Sequence, residues 1–321
     1  MECAKCGTKV QVGDRFCEEC GAPLVAESTI PKITGGCEKC GAGLEAIDAE
    51  GYCSNCGFRN QVVDKDRLEV TRSPKLAGVS DRGLRRQRNE DYLACAALDE
   101  KNTSVLVVCD GVSSSQKPEL AAIAAAEGAC TALTAAVERG DTQPEEAMKS
   151  AFVSALSSVC AIPYTPGSDT DFPSTTIIAA LVQDSTATIG WLGDSRAYWI
   201  SSQGSRQLTR DDSWLYDMVA SGRMTEAQAR QSDKAHAITR WLGVDAIEDS
   251  EPSIVNFDIP GAGYLLLCTD GLWNYAPEPA QIFEIVKPML ETDAIAVSRR
   301  LVEFARSRGG FDNITVAVLS F

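Results

Sequence analysis

The sequence predicts an α+β protein whose β-sheets pack together with helices on their outer faces, preceded by a small metal-held module. Three observations carry this expectation. From Leu76 onward, short apolar runs follow one another in succession. The longer helical patterns are gathered in pairs, which favours packed sheets with outer helices over a doubly wound parallel sheet. Eight of the thirteen cysteines lie within the first 56 residues. A chain of 321 residues has room for two domains, or for one large domain and a small module.

The N-terminal module is read from its cysteines. Cys3/Cys6, Cys17/Cys20, Cys37/Cys40 and Cys53/Cys56 are four CxxC pairs, each followed by glycine. They form two units, C-x2-C-x10-C-x2-C and C-x2-C-x12-C-x2-C, an internal repeat. Two residues between thiolates let both reach one ion across a tight turn, and glycine after the second permits the positive φ such a turn needs. Four thiolates in tetrahedral array select zinc and leave no open position, so two structural Zn²⁺ sites are expected. A disulfide framework and redox CxxC pairs are the competing readings. No secretory pattern in MECAKCGTKV favours the first, and four pairs in register do not suit the second. Residues 1–62 thus resemble tandem zinc ribbons. With six Lys/Arg against nine Asp/Glu in the first sixty positions, a protein partner is expected for them, not nucleic acid. The other five cysteines read as small buried hydrophobes.

Residues 63–75, of mixed charge and little periodicity, read as a linker, and 76–321 as the large domain. Strands are expected over 76–80, 92–98, 104–109, 175–182, 187–192, 196–200, 254–258, 264–268 and 314–319. Helices are expected over 118–138, 144–160, 213–221, 225–231, 279–290 and 293–308. No apolar stretch approaches the roughly 18–20 residues that span a bilayer. The net charge of −15 argues against nucleic acid and anionic membrane surfaces. A cytoplasmic location is the expectation.

Two apolar runs, VLVVCDG at 105–111 and LLLCTDG at 265–271, each end in Asp-Gly. Asp-Gly is an ordinary turn dipeptide. Further acidic residues, however, lie at or near strand ends: Glu90 and Asp91, Asp171, Asp194, Asp211 and Asp312. Carboxylates converging on one sheet rim repel unless cations lie between them, and oxygen-only donors suit Mg²⁺ or Mn²⁺. Two such ions can activate a water and hold a phosphate in line with it.

RxxNED, DG, STT, GDSRAY, LTRDDS, ITRWLG, CTDGLW and DNIT occur in the order found in the metal-dependent protein phosphatases of type 2C, which residues 76–321 resemble. The resemblance implies an α-β-β-α sandwich of two antiparallel sheets flanked by helices. It implies hydrolysis of phosphoserine and phosphothreonine on proteins by a hydroxide bridging two Mn²⁺ or Mg²⁺ ions. By motif, Asp110 bridges both ions, Asp270 and Asp312 complete the first site, and Glu90 with the Gly111 carbonyl holds the second. Asp91 hydrogen-bonds water on the metal, Arg86 grips the substrate phosphate, and Asp171 with Asp270 resembles a weaker third metal site. Asn313 fixes the Asp312 loop, while Asp194 and Asp211 support the rim.

Three features depart from the family. VSSS follows Asp110-Gly111 where bacterial relatives usually have Met-Gly-Gly. Val112 stands where animal members carry a histidine proposed as general acid. Asp212 replaces the histidine of LTxDHS, ahead of a flap over 214–235. A non-enzymatic signalling adapter built on the ribbons is the alternative function, and VSSS and Asp212 are its support. The lone histidine, His236, is expected to be structural. The style of RxxNED and GDSRAY suggests a bacterial setting, with a Ser/Thr kinase as an indirect partner.

Overall fold

The computed structural model describes residues 37, 39–43, 46, 53–58, 66–141, 143–165, 167, 172–289 and 292–321. The chain divides into two units, Met1–Val63 and Asp64–Phe321. The larger contains, in order, β1 (Arg67–Ser73), β2 (Leu76–Asp81), β3 (Asp91–Leu98), β4 (Thr103–Asp110), α1 (Pro118–Arg139), α2 (Pro144–Cys160), β5 (Ser174–Thr175), β6 (Ile177–Gln183) and β7 (Thr186–Leu192). There follow β8 (Arg196–Ile200), β9 (Arg206–Gln207), α3 (Trp214–Ala220), α4 (Glu226–Ala229), β10 (Leu242–Gly243), β11 (Ser253–Asp258), β12 (Tyr264–Cys268), α5 (Asp270–Trp273), α6 (Pro279–Val286), α7 (Ala294–Ser307) and β13 (Ile314–Ser320).

The strands form a six-stranded sheet, β1-β2-β13-β12-β8-β9, and a five-stranded sheet, β11-β7-β6-β4-β3, with a small β10-β5 pair. Every pairing is antiparallel. Side-chain alternation explains why the central strands are apolar throughout. Along β4, Val105, Val107 and Cys109 pack under α1 and α2, while Leu106 and Val108 face the other sheet. Along β12, Leu266 and Cys268 pack under α6 and α7, while Leu265 and Leu267 point between the sheets. Each strand is therefore buried on both faces, and each fully buried Val or Leu contributes about 1.5–3 kcal/mol. The result is a four-layer α-β-β-α sandwich, as the sequence predicts.

Three expectations need correction. The linker over 63–75 contains β1, which pairs with β2 in antiparallel register. β1 is an edge strand with one face in solvent. Leu68 and Val70 reach the inter-sheet core, while Glu69, Thr71 and Arg72 face outward or to its margin, so its pattern reads as polar. The helix expected over 279–290 is α-helical only to Val286, because Pro288 removes a backbone donor and the last turn is 3₁₀. Finally, α1 has 22 residues and is long and apolar enough to cross a bilayer by length and composition. Its alanine-rich face is instead buried against α2 and the sheet, including Ala121, Ala125, Ala129 and Leu133.

Candidate functional site

The site is built where the two sheets end at one rim. Asp91 opens β3 and Asp110 closes β4, and the two are direct cross-strand partners. The β12 run passes through buried Thr269 into α5, whose first residue is Asp270, so this aspartate starts a helical turn instead of ending a strand. Thr269 ties the sheets together. Its hydroxyl donates to Asp91 Oδ2 at 2.8 Å and accepts from the Thr315 backbone N–H at 3.0 Å. The glycines after the two aspartates serve close packing, and neither has a positive φ. A Cβ on Gly111 would stand 2.5 Å from the Pro118 carbonyl oxygen, and one on Gly271 would collide with the Asn313 carbonyl.

Asn313, expected to fix the Asp312 loop, also clamps the loop that carries Glu90. Its Nδ2 donates to the carbonyls of Arg82 and Arg88 at 2.9 and 3.0 Å, and its Oδ1 accepts the Glu90 N–H at 2.9 Å. Its own N–H donates to Asp312 Oδ1 at 2.8 Å. The Asp110 carbonyl accepts from the Thr176 N–H at 2.8 Å and the Thr175 hydroxyl at 2.9 Å, so STT anchors the end of β4.

The electrostatics are those of crowded acids, Asp91 buried and Asp110, Asp194 and Asp270 half-buried. Burial first, then Asp91, Asp270, Asp194 and Asp312, pushes the Asp110 carboxyl well above the usual range. Burial, with repulsion from Asp270 and Asp312, pushes Asp91 up to about 8 despite the Thr269 hydrogen bond. Burial, then Asp312, pushes Asp270 up to about 7. Asp194, expected as rim support, is raised by burial and then by Asp270 and Asp211. Asp211 makes two parallel bonds with Arg196 at 2.8 and 2.7 Å. The Arg196 guanidinium lies 3.8 Å from the Trp273 ring centroid.

Arg86 faces this group. Its Nη2 donates to Asp312 Oδ2 at 2.7 Å and its Nη1 to Ser113 Oγ at 3.1 Å. Ser113 in turn donates to Glu90 Oε2 at 2.7 Å, and Glu90 Oε1 accepts from Arg88 Nε at 2.9 Å. Ser113, Thr176 and Thr269 are site residues that sequence reasoning missed. In the sequence VSSS stands out only as a departure, and the threonines of STT and CTDG only as parts of motifs. Asp212, the other departure, accepts the Gly193 N–H at 3.1 Å and lies 3.6 Å from Arg240, a framework role. His236 is exposed, which removes the structural role expected for it. Asp171 lies outside the described residues.

The donor set fits hard divalent cations. It consists of carboxylate and carbonyl oxygens, the acids repel one another, and Asp91 Oδ1 is buried without a hydrogen-bond partner. Among the described residues, however, only the four cysteines have three or more ligand atoms within 4.8 Å of one another. Glu90 and Asp312 are turned instead toward Arg88, Ser113 and Arg86.

The cysteine site lies in the smaller unit. Cys37 and Cys56 Sγ approach to 3.5 Å and Cys40 and Cys53 Sγ to 3.6 Å, with all four within 4.8 Å. A Zn–S bond of about 2.3 Å places tetrahedral sulfurs about 3.8 Å apart. The two CxxC turns are alike. The Cys37 and Cys53 N–H groups donate to Ala42 and Phe58 carbonyls, and Gly41 and Gly57 N–H groups donate back to Cys37 and Cys53. Both glycines have positive φ, 72° and 64°, as the repeat predicts. The Cys40 thiol is drawn down to about 6, chiefly by the Ala42 backbone, whereas burial pushes Cys56 up to about 12. Cys3, Cys6, Cys17 and Cys20 lie outside the described residues.

Comparison with known proteins agrees with both halves. Residues 82–304 match the family model described as protein phosphatase 2C, and residues 3–65 the one described as double zinc ribbon. The serine/threonine phosphatase stp of Listeria innocua is 33% identical over 148 residues, 45% of this chain and 56% of that protein's length. The stp protein of Listeria monocytogenes is 26% identical over 242 residues, 75% of this chain and 93% of that one. The PPM Ser-Thr phosphatase MsPP of Mycobacterium smegmatis, crystallised with cacodylate, superposes with a TM-score of 0.57 at 28% identity, over 78% of this chain and 99% of that one. With its sandwich, its acidic rim and a family model that covers most of its length, the chain belongs to the protein phosphatase 2C family and carries a double zinc ribbon ahead of the phosphatase domain.

Proposed function

We propose that this chain, a protein serine/threonine phosphatase by family, removes phosphate from phosphoserine and phosphothreonine with the help of two Mn²⁺ or Mg²⁺ ions. The observation that carries the reading is the acidic group of buried Asp91 and Glu90 with half-buried Asp110 and Asp270, beside Asp312 and Arg86. Asp110 would touch both ions, Asp270 and Asp312 the first, and Glu90 and the Gly111 carbonyl the second, with Asp171 serving a weaker third. When bound, the ions lower the pKa of the attacking water and offset the charge that builds on phosphate. Arg86 binds the phosphate oxygens through its forked donors. Ser113 aims the Arg86 guanidinium. Asp91 Oδ1, lacking a partner, orients the attacking water by accepting its hydrogen. Val112 offers no proton, so the leaving alkoxide takes one from water.

None of the residues assigned to these roles is replaced, which disfavours the adapter alternative. The ribbons are proposed to hold a protein partner, and the substrates to be cytoplasmic phosphoproteins made by a Ser/Thr kinase. Mn²⁺-dependent release of phosphate from a phosphothreonine peptide tests the activity, and no release by the full chain would overturn it.

Arg86 separates phosphate binding from metal binding. Arg86→Ala should lower kcat/KM on a phosphopeptide by about 10–100-fold, the worth of charge-assisted bonds to phosphate. It also frees Asp312, so Mn²⁺ affinity measured by calorimetry should not fall. A parallel loss of Mn²⁺ affinity would assign Arg86 to the framework of the metal site.

A further inference from the structure

Among the described residues, the large exposed apolar side chains are Leu84, Leu120, Val153, Met224 and Phe311. Singly exposed apolar residues are ordinary. Two of these five, though, flank the proposed phosphate site. Leu84, 53% exposed, is two residues before Arg86, and Phe311, 63% exposed, immediately precedes Asp312. The Arg86–Asp312 ion pair at 2.7 Å joins the two segments.

These side chains are held in place together. The Leu84 N–H donates to the Gly310 carbonyl at 2.7 Å, and the Phe311 N–H donates to the Tyr275 hydroxyl at 3.0 Å. A Cβ on Gly310 would stand 3.0 Å from Leu84 Cγ, and one on Gly309 would stand 2.8 Å from the Phe311 ring. Leu84 and Phe311 thus lean on a two-glycine turn that no larger residue could occupy unchanged. The exposed Arg85 guanidinium lies 5.6 Å from the Phe311 ring centroid. A surface set in position beforehand loses little freedom when a ligand arrives, so more of its apolar contact appears as affinity.

A phosphoprotein that delivers its phosphate to Arg86 must run its chain past the residues on either side of that arginine. We propose that Leu84 and Phe311, backed by Tyr275, form a subsite for an apolar side chain of the substrate, within a few residues of the phosphoserine or phosphothreonine. The occupant is the substrate itself, because the patch is continuous with the place where the phosphate is gripped. The inference rests on the phosphatase reading and narrows its substrate class to phosphosites with an apolar neighbour.

The test uses the full chain and two fluorescent phosphothreonine peptides, one with leucines flanking the phosphosite and one with serines there. Binding is read by anisotropy and turnover by phosphate release, with p-nitrophenyl phosphate as the small substrate. The leucine peptide should bind about three- to tenfold more tightly, as expected for partial burial of one apolar side chain. Leu84→Ser and Phe311→Ser should each erase that preference, chiefly through KM, with p-nitrophenyl phosphate turnover unchanged. Equal binding of both peptides by the wild-type chain, or a preference that survives both substitutions, would overturn the subsite. So would substitutions that change the sedimentation behaviour and leave peptide binding alone, because the patch would then belong to a second copy of the chain. A retained leucine preference in binding, with no turnover of any substrate, would keep the subsite and sink the phosphatase reading.

Discussion

Asp110→Asn is expected to remove nearly all turnover while making the metal-free protein more resistant to heat at pH 8. The loss follows from removing the carboxylate assigned to both ions. Metal chemistry in hydrolysis is worth several kcal/mol, so activity should fall on the order of a thousand-fold. The gain follows from repulsion. Burial and neighbouring acids raise Asp91 and Asp270 from an ordinary 3.8 to about 8 and about 7, and both in turn press on Asp110, which is raised well above the usual range. The sign is fixed by linkage. A carboxyl whose folded value is raised favours the fold when protonated. Its stability is fully present below about pH 4 and is lost as pH rises through the folded values of 7 to 8. The melting temperature of the metal-free wild type should therefore fall between pH 5 and pH 8.5. That of Asp110→Asn should fall less and lie a few degrees higher at the alkaline end, at about 2–4 °C per kcal/mol for a domain of this size. Adding Mn²⁺ at pH 8 should raise the wild-type melting temperature and leave the variant unmoved. Scanning calorimetry with and without Mn²⁺ reads all three quantities. A variant less stable than wild type at pH 8 would show that the acids are not in repulsion.

Cys53→Ser is expected to remove one zinc per chain and unfold the ribbon that holds it. The four sulfurs of Cys37, Cys40, Cys53 and Cys56 lie within 4.8 Å, and a serine hydroxyl is a poor substitute for a thiolate. Binding of structural zinc to small domains is worth about 10–16 kcal/mol, so a ribbon without it does not fold. Zinc content by mass spectrometry should drop by one, and limited proteolysis should cut within residues 37–58. Turnover of p-nitrophenyl phosphate should be unchanged, because every residue assigned to that chemistry lies in Asp64–Phe321. Unchanged zinc content would contradict the tetrathiolate reading.

Much of the fold could be read from the sequence because burial leaves a strong imprint on it. β4 and β12 are apolar at every central position since helices cover one face and a sheet the other. β1 left no such mark, because an edge strand with a solvated face carries Arg67, Glu69, Thr71 and Arg72. The acidic residues of the site were legible as types at strand ends. Their surroundings were less so. Nothing in VSSS announces that the Ser113 hydroxyl will lie between Arg86 and Glu90, since that contact joins residues 27 and 23 positions apart. The two Asp-Gly glycines were visible, but their reason was not. Each gives way to a carbonyl, that of Pro118 at the start of α1 or that of Asn313 just before β13, a neighbour that only the folded chain supplies.

The central claim is that Asp110, Asp270, Asp312 and Glu90 gather hard divalent ions at the rim where both sheets end. Anomalous diffraction at the manganese edge, from crystals grown with Mn²⁺, tests it most directly. Two peaks are expected, each roughly 2 Å from an Asp110 carboxylate oxygen, one shared with Asp270 and Asp312 and the other with Glu90. Arg86 should then be released from Asp312. Clear density for these side chains with no manganese beside Asp110, and the Arg86–Asp312 pair intact at saturating Mn²⁺, would contradict it.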